Sequence, residues 1–350
     1  MSKKRRAAAT APAASAPAPT PDGATDLIGT REGVIVEGSR GFYRVETPEG
    51  ALVCTIRGRL RKQLQYALSD ATAARRSAIG VRVRTHDPVS VGDRVRVLPT
   101  VPGEGVIEAV VTRAGGDFGR RDPDAGQDRL RAVAGIDQLV TVFAAREPAP
   151  HLGLLDRFLV LAEDQGLDTL ICLNKADLGV EPGLAERLAV YRGLGYPVVL
   201  TSAAAGLGLD ELRGRLAGRT SAFLGPSGVG KSSLLNALQP DLGLRVGAVS
   251  AATSKGRHTT RGTHLFPLDG PHGGHIADTA GIRALAVDGA ALGRLDWCFR
   301  EFRPYLAECR FAGCSHLHEP DCAVRAAAAA GAIDRTRYAS YGKLRRGDGE

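Results

Sequence analysis

From Leu27 to about Thr112 the chain alternates apolar and polar positions in short runs: Gly33-Val34-Ile35-Val36, Phe42-Tyr43-Arg44-Val45, Leu52-Val53-Cys54-Thr55-Ile56, Val89 to Val97 and Gly105 to Val111, with glycine or proline between them. A period of two with such punctuation predicts strands, and about five short strands predict a small β-barrel over 27–112. Arg57, Arg59, Arg61, Lys62, Arg82, Arg84, Arg94 and Arg96 interleave with the apolar positions and would form a basic outer layer. A nucleic-acid surface and an ordinary solvated face both fit that layer, since few aromatic residues accompany it for base stacking.

Residues 113–134, rich in Gly, Asp and Arg, predict a linker, with Arg120, Arg121, Arg129 and Arg131 available to RNA. The pattern then changes. Strands at Gln138 to Phe143, Thr169 to Leu173 and Pro197 to Leu200 alternate with helices at Leu152 to Asp164 and Leu184 to Leu194, the rhythm of a parallel sheet covered by helices. Before the barrel, residues 1–26 combine Lys3, Lys4, Arg5 and Arg6 with an Ala/Pro/Ser/Thr stretch that cannot bury enough apolar area to order itself, so a disordered tail is expected.

The chemistry begins at Ala222-Phe223-Leu224-Gly225-Pro226-Ser227-Gly228-Val229-Gly230-Lys231-Ser232-Ser233. An apolar run, G-x-x-x-x-G-K-S and then Leu234, Leu235 and Leu238 at helical spacing give the strand, loop and helix a phosphate-binding P-loop needs. Backbone N–H groups from Gly225 through Ser233 would cradle the phosphates, Lys231 would reach the β- and γ-phosphates, and the Ser232 hydroxyl would ligate Mg²⁺.

Asn174-Lys175-Ala176-Asp177 falls at the carboxyl end of a predicted strand, where α/β sheets place ligand contacts. N-K-x-D reads guanine: the Asp177 carboxylate accepts from N1–H and N2–H₂ together, a pairing adenine does not offer, which disfavours an ATPase. Asn174 fixes the loop and Lys175 lies along the base. Thr201-Ser202-Ala203 ends the next strand, with a backbone N–H expected to be free for guanine O6. Beyond the P-loop, Lys255 to Arg261 carries Thr259 and Thr260, hydroxyls that could close on Mg²⁺, and Asp278-Thr279-Ala280-Gly281 offers a carboxylate for metal-bound water and a glycine N–H for the γ-phosphate.

Composition adds a partner and a compartment. The 350 residues are 43% hydrophobic and 24% charged, with a net charge of +8 and a pI near 9.4, which favours a polyanion, nucleic acid first. No apolar run reaches the roughly 18 residues of a membrane helix and the N-terminus has no signal-peptide core, so a cytoplasmic protein without membrane partners is expected. Cys309, Cys314 and Cys322 enclose two imidazoles, His316 and His318, as C-x4-C-x-H-x-H-x3-C; three thiolates and one imidazole suit a closed structural Zn²⁺ site. Cys54, Cys172 and Cys298 fall in predicted strands or a helical run and read as core residues.

In most small GTPases the P-loop and switches precede N-K-x-D; here the base-reading half comes first. This order, with the barrel ahead, Ile136-Asp137-Gln138, Asp156-Arg157 and the cysteine cluster behind, resembles the circularly permuted GTPases, specifically the ribosome small-subunit-dependent GTPase family (RsgA), over Leu27 to Leu344. The resemblance implies a multidomain α/β chain: tail 1–26, OB-fold barrel 27–112, linker 113–134, circularly permuted P-loop GTPase domain 135–287, and C-terminal helical zinc-binding domain 288–350. It implies GTP hydrolysis to GDP with Mg²⁺ in late maturation of the small (30S) ribosomal subunit, rRNA binding in the GTP state with release after hydrolysis, a monomer, one structural Zn²⁺, and His316 as the ligating imidazole.

Ile282 stands where many GTPases carry the water-orienting glutamine, so slow intrinsic turnover is expected. The resemblance gives that role to His258 once the subunit orders its loop. Departures from the family pattern are Ala280 in place of proline and Gly135 in place of asparagine. Gly228 occupies the position of a potassium-binding asparagine, so weak potassium dependence is expected. The alternative is a GTP-regulated RNA-binding checkpoint protein with little catalysis. Because Lys255 to Arg283 run directly into Asp288 to Glu308, the sequence also predicts a short covalent route from the γ-phosphate sensors to the zinc domain.

Overall fold

The computed structural model describes residues 29–39, 41–60, 89–112, 116–118, 133–243, 264–269, 273–277 and 293–347. The expected tail, Arg61, Lys62, Arg82, Arg84, the linker arginines Arg120, Arg121, Arg129 and Arg131, and both switch segments with His258, Thr259, Thr260, Asp278 and Gly281 lie outside them.

Strands β1 (Arg31–Ser39), β2 (Phe42–Thr47), β3 (Gly50–Ile56), β4 (Arg94–Pro99) and β5 (Glu104–Thr112) close into a barrel in the order β1-β2-β3-β5-β4. Only β3 and β5 pair in parallel. Alternation does the work expected of it: Tyr43 and Val45, Leu52 and Cys54, and Val95 and Val97 point inward and are buried. Among the described residues the outer layer carries acidic partners as well: Arg57 pairs with Glu108 of β5 (2.8 Å), Arg96 with Glu32 of β1 (2.9 Å), and Arg31 with Glu49 in the β2–β3 turn (2.6 Å). The predicted strand from Val89 begins only at Arg94, because Ser90 to Asp93 form a turn in which the Ser90 N–H donates to the Asp93 carboxylate (2.8 Å).

Within the expected linker span, β6 (Gly116–Phe118) pairs antiparallel with β7 (Val133–Ile136). The central sheet follows: β8 (Gln138–Ala144), α1 (Leu152–Gln165), β9 (Asp168–Asn174), α2 (Pro182–Gly193), β10 (Val198–Leu200), α3 (Leu209–Leu216), β11 (Thr220–Leu224), α4 (Lys231–Leu238), β12 (Leu265–Pro267) and β13 (His275–Ala277). Its order is β10-β9-β8-β11-β13-β12, parallel except for β12. Every residue of β8 and β11 is buried, as strands covered on both faces must be. β11 lies between β8 and β13, so the later half of the chain enters the sheet built by the earlier half.

The C-terminal region packs α5 (Leu295–Cys298), α6 (Arg303–Leu306), α7 (Ala323–Ala329) and α8 (Arg335–Arg346) around Phe299, Phe302 and Tyr341. The basic tail is thus a helix. Asp334 caps α8 by accepting from the N–H groups of Thr336 (2.9 Å) and Arg337 (3.0 Å), and Gly347 ends it in the left-handed conformation.

Arg337 joins this region to the sheet. Although 1% exposed, it donates to Asp156 of α1 (2.6 Å) and to both oxygens of Glu301 (2.7 and 3.1 Å), with the Phe299 ring 4.5 Å from its guanidinium carbon. Tyr191 of α2 donates to the same Asp156 oxygen (2.7 Å). Two carboxylates facing one guanidinium hold its pKa far above the usual range, although burial alone would lower it. Around this centre Arg187 of α2 pairs with Asp334, Glu163 of α1 with Arg300 and Arg303, and Asp164 of α1 with Arg294.

Replacing Arg337 with methionine strands Asp156 and Glu301 in a dry interface, and breaking a buried pair from one side costs about 3 to 5 kcal/mol. Denaturant unfolding followed by fluorescence of Trp297, the chain's single tryptophan, is expected to report a loss of that size. A cost below about 1 kcal/mol would mark the pair as energetically idle.

Candidate nucleotide site and metal centre

The loop after β11 closes on itself through its own lysine: Lys231 Nζ donates to the carbonyls of Gly225 and Pro226, both at 2.7 Å. Two glycines are required by space. A Cβ on Gly225 would lie 2.1 Å from the Val142 carbonyl oxygen of β8, and one on Gly230, at φ +87°, would lie 2.6 Å from Asn174 Nδ2. Val229 is buried between them, while Ser227 and Gly228 are exposed at the loop's crest.

Asn174, at the end of β9, is fully committed. Its Nδ2 donates to the Val229 carbonyl (2.9 Å), and its Oδ1 accepts from the Thr201 hydroxyl (3.3 Å) and the Ala203 N–H (3.2 Å). One buried side chain therefore ties together the three loops read from sequence as phosphate cradle, base reader and base flank. Asp177 sits exposed in the turn that follows. Lys175, in a left-handed conformation at φ 59°, donates to the Glu147 carbonyl, and its stem passes over Gly230.

One expectation is corrected. The N–H groups of Ser202, Ala203 and Ala205 are all engaged, with Leu207 O, Asn174 Oδ1 and Ser202 Oγ respectively, so the Ala203 N–H is shared with Asn174 rather than free. The cause is the Asn174 carboxamide, whose oxygen turns toward 201–203 because its nitrogen is spent on Val229.

Ser232 fits a cation ligand. Its hydroxyl is buried and makes no hydrogen bond among the described residues, an orphan that is costly unless something outside the chain satisfies it. Beside Lys231 at the start of α4, this is where a P-loop places Mg²⁺.

The second centre lies in the C-terminal region. Ligand atoms of Cys309, Cys314, His316 and Cys322 all lie within 4.8 Å of one another. Cys309 and Cys322 sulfurs are 3.9 Å apart, and His316 Nδ1 is 3.6 and 3.4 Å from them. Four ligands around one Zn²⁺ with ordinary bond lengths would be separated by about 3.8 Å (S to S) and about 3.6 Å (S to N). His318 is 82% exposed and turned toward Glu319, so His316 is the imidazole in the cluster. Its φ of 60° puts it in the left-handed region, held there by the Tyr338 hydroxyl on its carbonyl (2.5 Å). The other cysteines are buried, and burial pushes their thiols up to about 11 at Cys54 and about 12 at Cys172 and Cys298, which suits inert core residues.

Comparison with known proteins decides the family. A family model described as RsgA GTPase matches residues 120–288. A Gemmatimonas aurantiaca protein named small ribosomal subunit biogenesis GTPase RsgA is 44% identical over 316 residues, 89% of this chain and 96% of its own length. The chain belongs to the RsgA GTPase family. A Moorella thermoacetica protein of the same name is 41% identical over 312 residues, 89% of this chain and 94% of the relative. Among solved structures, YjeQ from Thermotoga maritima superposes with a TM-score of 0.67 at 32% identity, covering 91% of this chain and 98% of that one. YloQ, described as a circularly permuted GTPase, gives 0.65 at 27% identity, covering 92% of this chain and 96% of that one. The permuted order is thus a family architecture, here with a closed barrel ahead of it and a Cys₃His cluster behind.

Gly230→Ala tests the fit between loop and base reader. The left-handed strain alone, about 1 to 2 kcal/mol, corresponds to roughly a tenfold loss of nucleotide affinity, and the overlap with Asn174 adds to it. Titration with a fluorescent GDP analogue is expected to show at least that loss; wild-type affinity would mean that Asn174 does not set the loop.

Proposed function

We propose that this chain hydrolyses GTP to GDP and phosphate in the maturation of the small ribosomal subunit, gripping its rRNA in the GTP state and letting go after hydrolysis. The observation that carries this reading is Asn174, which makes the guanine-reading loop and the phosphate loop one site. Asp177 selects guanine, the loop from Gly225 to Ser233 holds the phosphates, Lys231 leaves its two carbonyls for the β- and γ-phosphates, and Ser232 holds Mg²⁺. Bound there, Mg²⁺ neutralises charge building on the phosphate oxygens.

Thr259 or Thr260 would add a hydroxyl and Asp278 a carboxylate to the residues that hold Mg²⁺, the Gly281 N–H would meet the γ-phosphate, and His258 would position the attacking water in place of the glutamine absent at Ile282. The cluster of Cys309, Cys314, His316 and Cys322 holds one structural Zn²⁺, which completes the fold of the C-terminal region. The partner is the small subunit, the compartment is the cytoplasm where that partner is found, and the protein works as a monomer. Among the described residues no helix is long and apolar enough to cross a membrane. Ile282 also favours a second reading, a GTP-regulated RNA-binding checkpoint protein with little turnover.

Turnover separates the two. GTP hydrolysis titrated with isolated small and large subunits is expected to rise steeply with the small subunit alone, and His258→Ala to lose roughly 10³-fold or more of that stimulation while binding the subunit in the GTP state normally. No stimulation by either subunit selects the checkpoint reading. Asp177→Asn is expected to weaken GTP binding and shift the preference toward xanthine nucleotides; unchanged GTP affinity removes Asp177 from base recognition.

Metal analysis is expected to give one zinc per chain, lost in His316→Ala and kept in His318→Ala. The opposite pattern would move the site to the other imidazole.

A further inference from the structure

His316 presents Nδ1 to the sulfurs of Cys309 and Cys322, so a neutral ring on a metal carries its proton on Nε2. That Nε2 is buried and has no hydrogen bond among the described residues. It faces one carboxylate: Asp296 Oδ2, 3.6 Å away and twenty positions earlier in the chain. The other oxygen of Asp296 is pinned by the N–H of Trp297 (2.9 Å), which fixes the direction in which Oδ2 points.

We propose that Asp296 is the outer-sphere partner of the zinc centre, accepting the Nε2–H of His316 and thereby fixing its tautomer and ring plane. The inference rests on the zinc reading above. Everything else about His316 is already constrained: Tyr338 holds its carbonyl and the rings of Phe302 and Tyr341 flank it at 6.2 and 6.1 Å. Rotation of the ring about its own bond is what a carboxylate on Nε2 restricts, and the same contact makes Nδ1 a better donor. Asp296 belongs to α5, and the adjacent Arg294 is clamped to Asp164 of α1 (2.6 Å). The carboxylate therefore links the metal's histidine to the helix at which the C-terminal region meets the central sheet.

The test uses full-length, zinc-loaded protein and reads zinc affinity by competition with a colorimetric chelator, with circular dichroism as the check on folding. Asp296→Ala is expected to weaken zinc binding by about 10- to 100-fold, the usual cost of losing such a partner. Asp296→Asn keeps an acceptor oxygen and is expected to recover most of the loss. Wild-type affinity in Asp296→Ala overturns the proposal, and so does an Asn variant as weak as the Ala variant, since that would tie the effect to charge rather than to the accepted hydrogen bond. Failure of the underlying reading is separate: there the wild-type protein itself would contain no zinc.

Discussion

The nucleotide site depends on one carboxamide. Asn174 belongs to the first half of the central sheet and the P-loop to the second, and they are joined across 55 residues by a hydrogen bond to the Val229 carbonyl. Two further acceptor contacts draw in Thr201 and Ala203. A buried amide can make these contacts only if all three loops leave the sheet at the same edge, which parallel pairing of β10, β9, β8 and β11 guarantees. Chain order is then immaterial: β11 slots beside β8 with Ala222 opposite Leu139 and Phe223 opposite Val140, wherever the chain was opened. This is why a permuted sequence builds an ordinary guanine-nucleotide site.

What the sequence made legible was local. G-x-x-x-x-G-K-S, N-K-x-D and the cysteine spacing are short strings whose chemistry is contained in neighbouring residues, and the central strands and helices were visible because their periods are. What it hid was long-range. Arg337 looks like one more cation in a basic tail, yet it is buried against Asp156, 181 positions away; nothing near either residue announces the other. Arg57 and Arg96 read as part of a basic layer because their partners Glu108 and Glu32 sit on other strands. Asp296 carried no motif, and the engaged Ala203 N–H could not be foreseen, since hydrogen-bond competition inside a site is decided by three-dimensional proximity. A buried ion pair also has no composition signature distinct from two surface charges.

The two flanking regions are mounted on different parts of the sheet. The barrel meets the β12–β13 edge: Glu37 bridges His264, Glu46 lies 3.6 Å from His275, and one continuous apolar core runs from Ile35 and Val45 to Leu265 and Ala277. The C-terminal region instead meets α1 and α2, the helices flanking β9, through Arg337, Arg187, Arg300, Arg303 and Arg294. Charge dominates the second joint and apolar packing the first. Burial of one guanidinium between two carboxylates is a geometric lock more than a source of net stability, because desolvation offsets most of the attraction.

This mounting sets a second route beside the one expected from sequence. The short covalent path through Asp288 to Glu308 led to the expectation that a γ-phosphate-dependent change reaches the zinc domain. β13 runs directly into Asp278, however, and β13 with its partner β12 is what the barrel rests on. The C-terminal region is bolted to α1 and α2, the helices flanking β9 and the N-K-x-D loop that follows it, and the base is the same in GTP and GDP. A ligand shifts an equilibrium only through contacts that differ between its states. Displacement of β13 relative to β9 would therefore be felt across the barrel joint, while the C-terminal region stays with the base-reading half, and its covalent link to the switch would have to work against at least five arginine contacts.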